Sequence, residues 1–360
     1  MTNARWPNAK WSDKSIFNGD NWAHVNDDKK KGESKRAMDN KINKEIGVIF
    51  NKGDSLKDTK IDMAGAMAVM NIGSFLTFVA KVESHDNNKF TFIDTFGNYD
   101  FKPKNSYYFM EDKLDLLDSA EEWVFEKDTD AESGTLYLWT KDGDSPDTED
   151  PITKEKKYTV RGKDQTYAFE ITDSSHLVLK NLIFFGTTLK AESTSTKKND
   201  QLRFDSLQFK FPSYSKRMLG DASLIENMKI GTTTKKRNKK NKETKFYEED
   251  IGHYTFYNNT FYGSDGYLAF LNGNETTFEN NVFSYNDWTG AHSITQFGGA
   301  GIFLSWSKHD KYIRNTLDHN GAHTGLQPGS NVVVKLNQFI GQCWGVIQHD
   351  GAGVQVSIFQ

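Results

Sequence analysis

One cysteine, Cys343, in 360 residues excludes a disulfide framework and leaves no spacing for a thiolate zinc site. A lone small thiol of this kind reads as a core residue. No apolar run approaches the ~18 residues that a membrane-spanning helix needs. An excess of one charge is also missing: 45 Lys and Arg stand against 49 Asp and Glu, for a net charge of −4. That balance points to neither nucleic acid nor an anionic membrane. The opening residues, Met1-Thr-Asn-Ala-Arg-Trp-Pro-Asn8, do not have the pattern of a secretory signal. Arginine stops at Arg314, and Lys335 is the only lysine after it. The basic groove that many enzymes of anionic polymers use is therefore thin in the last coils.

Aromatic residues are plentiful at 13%, and Phe alone accounts for 26 of them. Such a set suits a core of stacked rings and leaves Trp and Tyr for a sugar-binding face. The C-terminal third repeats with a period of about 22 residues. Gly273 to Phe283, Gly329 to Phe339 and Gly351 to Phe359 align in register, with Phe278, Val334 and Val356 each five residues after the Gly. Asn281 and Asn337 fall eight after it. An Asn-x-apolar element recurs at Asn181, Asn259 and Asn315, with Asp205-Ser-Leu207 as a variant. Short β-rich strings at a fixed period, separated by Gly and Asn turns, signal a solenoid. The expected fold is all-β: a right-handed parallel β-helix with an inserted small β-sandwich or β-barrel. The Asn series should form a ladder of amides along the axis.

Three regions follow. Residues 1–45 are polar, contain Trp6, Trp11 and Trp22, and read as a segment attached to the solenoid, with a short solvated helix between Lys29 and Lys44. Residues 46–160 read as the inserted β-rich domain, with strand-like runs at Leu76–Val82, Phe90–Asp94, Glu122–Phe125 and Thr135–Trp139. Residues 161–360 read as coils interrupted by a basic loop at about 212–245, whose Lys235–Lys242 tract is a solvated loop. Asn281 to Asn315 carries a 12-residue excess over the period, assigned to a loop within Thr289–Lys308. Long loops on one face of a solenoid build binding sites. The chain stops within a coil and shows no capping unit, so it reads as a fragment.

Four stretches carry a family resemblance: Ala4-Arg-Trp-Pro-Asn8, Glu121-Glu-Trp123 with Gly134–Trp139, Tyr214–Leu219, and Gly325–Gly329 with Gln348–Gln355. With the repeat, they resemble the right-handed parallel β-helix superfamily that includes pectate lyases and several glycoside hydrolases. The closer similarity is to a secreted bacterial and environmental branch. It implies a polysaccharide partner and an extracellular or periplasmic location, with further coils and a signal peptide ahead of residue 1. The superfamily hosts lyases, hydrolases, esterases, epimerases and plain binders, so the resemblance does not choose a reaction.

Phase predicts proximity, because like positions on neighbouring coils lie about 4.8 Å apart. Asp265 and Asp287 each fall six residues after a repeat Asn, and stacked carboxylates split into an acid and a base. One coil of separation suits a retaining glycosidase, and two coils an inverting one. A second group comprises Asp318, His319 and His323 with Gln348, His349 and Asp350, where a carboxylate beside an imidazole suits general acid–base work. The repeat places Gln327 over His349. The catalytic candidates are thus Asp350, Asp287, Asp318, His323, His349 and His319. Asp265, His292, Gln327, Gln348, Trp288, Trp306 and Trp344 are candidates for holding sugar. Each also has a plain reading as a turn, core or solvated residue. No metal site is assigned: stacked aspartates offer oxygen ligands to Ca2+, and the His319–His323 pair lacks the helix a zinc motif needs.

Three functions stay open on these residues. A glycoside hydrolase would use an acid–base pair from Asp287, Asp318 and Asp350. A polysaccharide lyase would remove the proton beside a uronate carboxylate, drawing on Lys308, Lys311, Arg314 or His323. A non-catalytic carbohydrate-binding or adhesin solenoid would do neither. Carboxylates and histidines outnumber basic groups here, which favours the hydrolase.

Overall fold

The computed structural model describes residues 1–73, 77–96, 101–104, 106–128, 133–163, 165–193, 199–212, 214–216, 221–226, 228–231, 252–265, 268–271, 274–288, 303–305, 309–321, 324–326, 328, 331–342 and 352–354. The chain divides into two compact units, 1–162 with 217–222, and the remainder from 163.

The first unit is built from β1 (Thr2–Asn3), β2 (Arg5–Trp6), β3 (Ala23–His24), β4 (Lys35–Asp39), β5 (Lys44–Phe50), β6 (Met67–Asn71), β7 (Phe78–Asp86), β8 (Lys89–Ile93), β9 (Tyr107–Glu111), β10 (Glu122–Lys127) and β11 (Gly134–Leu138). The main sheet runs β2-β9-β6-β7-β8-β5-β4, with β3 also on β9. Strand β7 pairs β6 through its first half and β8 through its second, with a register shift between Val82 and Ser84. A bulge bends a sheet, and here the two halves face each other: Phe90 of β8 meets Tyr108 of β9 at 5.1 Å. Tyr108 donates its hydroxyl to Asn51 Oδ1 at 2.9 Å inside that core.

Residues 1–45 differ from expectation in two ways. They contribute four strands to this unit, and the short solvated helix expected within Lys29–Lys44 is a single exposed 3-10 turn at Lys29–Lys31, after which Lys35–Asp39 pairs antiparallel with Lys44–Phe50. The physical reason is that β4 is an edge strand, and edge strands carry charge that masks their alternation. Two of the four stretches behind the family resemblance lie side by side. The Ala4 N–H donates to Trp123 O at 2.7 Å just after Thr2 and Asn3 pair with Glu122 and Trp123, and β10 pairs with β11.

The second unit is an all-β parallel solenoid. Each full coil contributes three short strands, and like strands of successive coils pair in parallel. The first sheet contains Tyr167–Thr172, Thr188–Glu192, Met228–Gly231, Ala269–Leu271 and Phe303–Ser305. The second contains Val178–Lys180, Arg203–Asp205, Thr255–Tyr257, Thr277–Glu279, Lys311–Ile313 and Val333–Lys335. The third contains Ile183–Phe185, Gln208–Lys210, Thr260–Tyr262, Val282–Ser284, Thr316–Asp318 and Gln338–Ile340. In the second and third sheets the middle residue of each strand points inward, which stacks aromatic rings at strand spacing. Phe209, Phe261 and Phe283 stack at 4.9 and 5.0 Å, and Phe256, Phe278 and Tyr312 at 4.7 and 5.0 Å. The register of the sheet holds these rings nearly parallel, at interplanar angles of 2–8°.

Between the second and third strands the chain turns through one left-handed residue and one inward residue. Asn259, Asn281, Asn315 and Asn337 occupy the inward place and form the expected ladder. Each Nδ2 donates to the next Oδ1 at 3.0 Å. Each backbone N–H in the run also donates to that same oxygen, at 2.8–2.9 Å. Asn181 is the exception: it is the left-handed residue, φ 57°, and exposed. The inward place on the first two coils belongs to Leu182 and Leu207, and the Leu207 N–H donates to Asn259 Oδ1. Asp205 ends its strand two residues before that place.

Ala352–Val354 pairs in parallel with Thr324–Leu326, 28 residues earlier and not the 22 of the repeat, in a two-stranded sheet of their own. The expected stacking of Gln327 on His349 falls outside the described residues. The 12-residue excess falls between Ser284 and Phe303, since the first, second and third sheets all shift together across it.

Candidate functional site

Each coil leaves its third strand through another left-handed residue: Gly263, Tyr285, His319 and Gly341, at φ 80, 55, 49 and 54°. The residue after it turns inward and builds a second ladder. Asn286 Oδ1 accepts from Ser264 N at 3.2 Å, and Asn320 Oδ1 accepts from Asn286 N at 3.0 Å. Asn320 in turn donates to Gln342 Oε1 at 3.5 Å. Buried and mutually bonded amides of this kind hold a corner rigid. Five of the sequence-selected residues sit on this corner, and they divide between inside and outside.

Asp265 and Asp287 occupy equivalent places on neighbouring coils, each following a residue of the ladder. Asp287 is fully buried. Gly321 takes the same place on the next coil, and a Cβ there would lie 2.0 Å from the Asp287 carbonyl oxygen. A polymer cannot reach a carboxylate enclosed this way. Asp265 is half-buried. Trp288 is only 9% exposed, so it belongs to the wall of the solenoid and is no open platform for a sugar.

Asp318 and His319 face outward. His319 Nδ1 lies 2.6 Å from Asp318 Oδ1, and the two side chains are 27% and 33% exposed. With Asp318 ionised, the Nδ1 proton is the one shared with it. The imidazole is held from both sides. Tyr285 stacks on one face at 5.6 Å and 11°. On the next coil, a Cβ at Gly341 would lie 2.7 Å from His319 Cδ2 and 2.8 Å from Nε2. Burial, then the Asp318 carboxylate and Tyr262, hold the Tyr285 hydroxyl above its ordinary pKa, so it stays a proton donor.

His292, Trp306, His323, Gln327, Trp344, Gln348, His349 and Asp350 lie outside the described residues. Two groupings went unnoticed in the sequence. At the corner before the second strand, His253 Nδ1 lies 2.7 Å from Asp200 Oδ1, and its Nε2 lies 3.6 Å from Glu275 Oε2. Beside the candidate site, Phe185, Phe211, Tyr262, Tyr285 and His319 form a line of rings across five coils, at steps of 5.8, 5.8, 5.9 and 5.6 Å. The signal for both was the period itself. Asn286, Asn320 and Gln342 repeat the spacing of the first Asn ladder, and the residue before each marks the outer corner. Among the described residues, no group of three or more His, Cys, Asp or Glu is placed to hold a metal ion. Nor is any helix among them long and apolar enough to cross a membrane.

No family model matches this chain. No curated protein matches it either. Among solved structures, a glycoside hydrolase is similar over 89% of this chain and 75% of its own, at 9% identity and a TM-score of 0.35. A likeness that remote carries no functional argument, which has to come from the corner itself.

Proposed function

We propose that the chain is a polysaccharide-degrading β-helix enzyme, a glycoside hydrolase whose proton transfer runs through Asp318 and His319. The observation that carries this reading is the outward Asp318–His319 pair, bonded at 2.6 Å and clamped between Tyr285 and Gly341. A carboxylate that orients an imidazole is a general acid–base device. Hydrolysis consumes one water per bond. The glycosidic C–O bond breaks, the water oxygen bonds to the anomeric carbon, and a proton reaches the leaving oxygen. His319 takes up the proton that the attacking water loses, and a second carboxyl group, held as the acid, protonates the leaving oxygen and becomes the carboxylate. We assign that second role to Asp350. His323 and His349 stay candidates beside it. Asp287, enclosed by Gly321, takes no part in the transfer. The polymer is the partner, and the place of work is outside the cytoplasm.

The test is the mass of the products from neutral, uronate-rich and sulfated polysaccharides. Fragments heavier by one water per cleavage are expected. Asp318→Asn and His319→Ala should each lower turnover by about 10²–10⁴-fold. Unsaturated fragments without added water would replace hydrolysis with β-elimination. Intact polymer throughout would leave a binding module.

A further inference from the structure

The outward faces of two neighbouring sheets differ sharply in charge. On the second sheet, Lys180, Arg203, Glu279, Lys311 and Lys335 all point outward, with Asp205 buried beneath Arg203 and Lys180. On the third sheet only Lys210 and Asp318 are charged among the outward residues. Its first outward row runs Ile183, Gln208, Thr260, Val282, Thr316 and Gln338 along the axis. Hydroxyl, amide and branched apolar groups alternate there without a charge. Ile183 is 68% exposed and Val282 39%. The far border of this face is the line of rings from Phe185 to His319, with Phe185 and Phe211 the most open. A flat face of this composition, edged by rings, has few groups to offer an anion and many for a neutral sugar. Ring faces and apolar groups meet sugar C–H bonds, while Gln and Thr meet hydroxyls.

We propose that the outer face of the third sheet, with its ring border, is the binding track for a neutral, extended polysaccharide lying parallel to the solenoid axis. The inference rests on the carbohydrate-active reading above and narrows its substrate. Strands repeat at about 4.8 Å, so successive coils offer equivalent groups to successive sugars of a stretched chain. The line of rings ends at His319, which delivers the chain to the Asp318–His319 pair. A neutral polymer has no carboxylate to acidify the neighbouring C–H, and so it is a substrate for hydrolysis and not for β-elimination.

The experiment uses the whole chain with mixed-linkage β-glucan, xyloglucan and galactomannan as neutral probes, and polygalacturonate and alginate as anionic ones. Binding is read by affinity electrophoresis and calorimetry. At least one neutral polymer should bind, and the anionic ones should not. Phe211→Ala and Tyr262→Ala should each weaken that binding roughly tenfold or more, the loss expected for one stacked ring. Tyr262→Phe should restore it. Ile183→Glu, at an open position that does not hold the fold, should weaken it as well. Preference for the anionic polymers, no binding at all, or ring variants that bind like the wild type would each overturn the track. Kinetics separate this from the failure of the enzyme reading. The ring variants should raise KM with kcat kept, while Asp318→Asn should lower kcat with binding kept. Tight neutral binding that fades in the ring variants, with no turnover in any, would keep the track and sink the hydrolase.

Discussion

The first Asn ladder should make the solenoid more sensitive at its middle than at its end. Asn281 is fully buried and its side chain takes part in four hydrogen bonds. It accepts from Asn259 N and Nδ2 at 2.9 and 3.0 Å. It donates to Phe256 O and Asn315 Oδ1 at 2.9 and 3.0 Å. Asn281→Ala removes all four and strands partners away from water. At about 1 kcal/mol net per bond, with more for a buried group left unpaired, the cost is about 4 kcal/mol. Asn337 accepts from Asn315 N and Nδ2 and donates to Tyr312 O, but it is only half-buried. Water can replace part of what it supplies, so Asn337→Ala should cost about 1–2 kcal/mol. Because Asn281 and Asn315 share a bond, Asn281→Ala with Asn315→Ala should cost less than the two single changes added. Urea unfolding, with amide exchange at Asn259 and Phe283 to assign the transition to the solenoid, measures all of these. Equal costs at Asn281 and Asn337, or strict additivity of the pair, would mean that the amides act one by one and that the ladder is not a cooperative element.

Gly321→Ala should destabilise the candidate corner by several kcal/mol, since its Cβ would meet backbone atoms of Asp287 and Trp288 with no flexible side chain to yield. A drop in melting temperature reads it. Gly341→Val should push the His319 ring off Tyr285 and lower kcat more than it changes binding. In the first unit, burial and the nearby Asp118 raise the Glu122 carboxyl from 4.5 to about 7, against N–H groups of Ser119 and Asp118 that favour its charge. The folded state then holds a proton that the unfolded chain has lost between those values, so this group's stabilisation is present at low pH and is lost as pH rises through about 7. At ~1.4 kcal/mol per unit the loss reaches roughly 3 kcal/mol. Glu122→Gln should flatten the pH dependence of this unit's unfolding. A wild-type unit that becomes more stable between pH 5 and 8 would contradict the assignment.

Much of the solenoid was legible because its core is periodic. Phe256, Phe278 and Tyr312, and the four Asn residues beside them, repeat at fixed spacing, so one register explains them all. The first coil was read one residue out of phase because Asn181 matches the repeat letter without its role, and the second two residues out because Asp205 stands two places before the inward Leu207. A slip of one place in a strand exchanges inside for outside: Leu179 and not Val178 faces the core, and Val178 is 55% exposed. The first 45 residues were misread for a different reason. Their buried set, Ile16, Phe17, Trp22 and Val25, is spread among lysines and aspartates. No period marks it, because strands of an antiparallel sheet need only alternate locally.

At the candidate corner, phase identified neighbours but did not separate surface from interior. Tyr285 and Asp287 are two residues apart on one coil, and simple alternation would put them on the same side. The left-handed conformation at Tyr285, φ 55°, breaks the alternation, and Asp287 is itself left-handed at 53°. Asn286 is thereby turned into its ladder, and Asp287 is enclosed with it. Tyr285, on the outer corner, stays half-open and stacks with His319. The same rule makes His319 outward and Asn320 inward one coil later. A carboxylate in this fold is therefore a candidate for chemistry when it ends a strand, as Asp318 does, and a wall residue when it follows the inward amide, as Asp287 does. Asp318→Asn and Asp287→Asn should then separate: the first should cost turnover at unchanged stability, and the second should cost stability before any effect on turnover can be read.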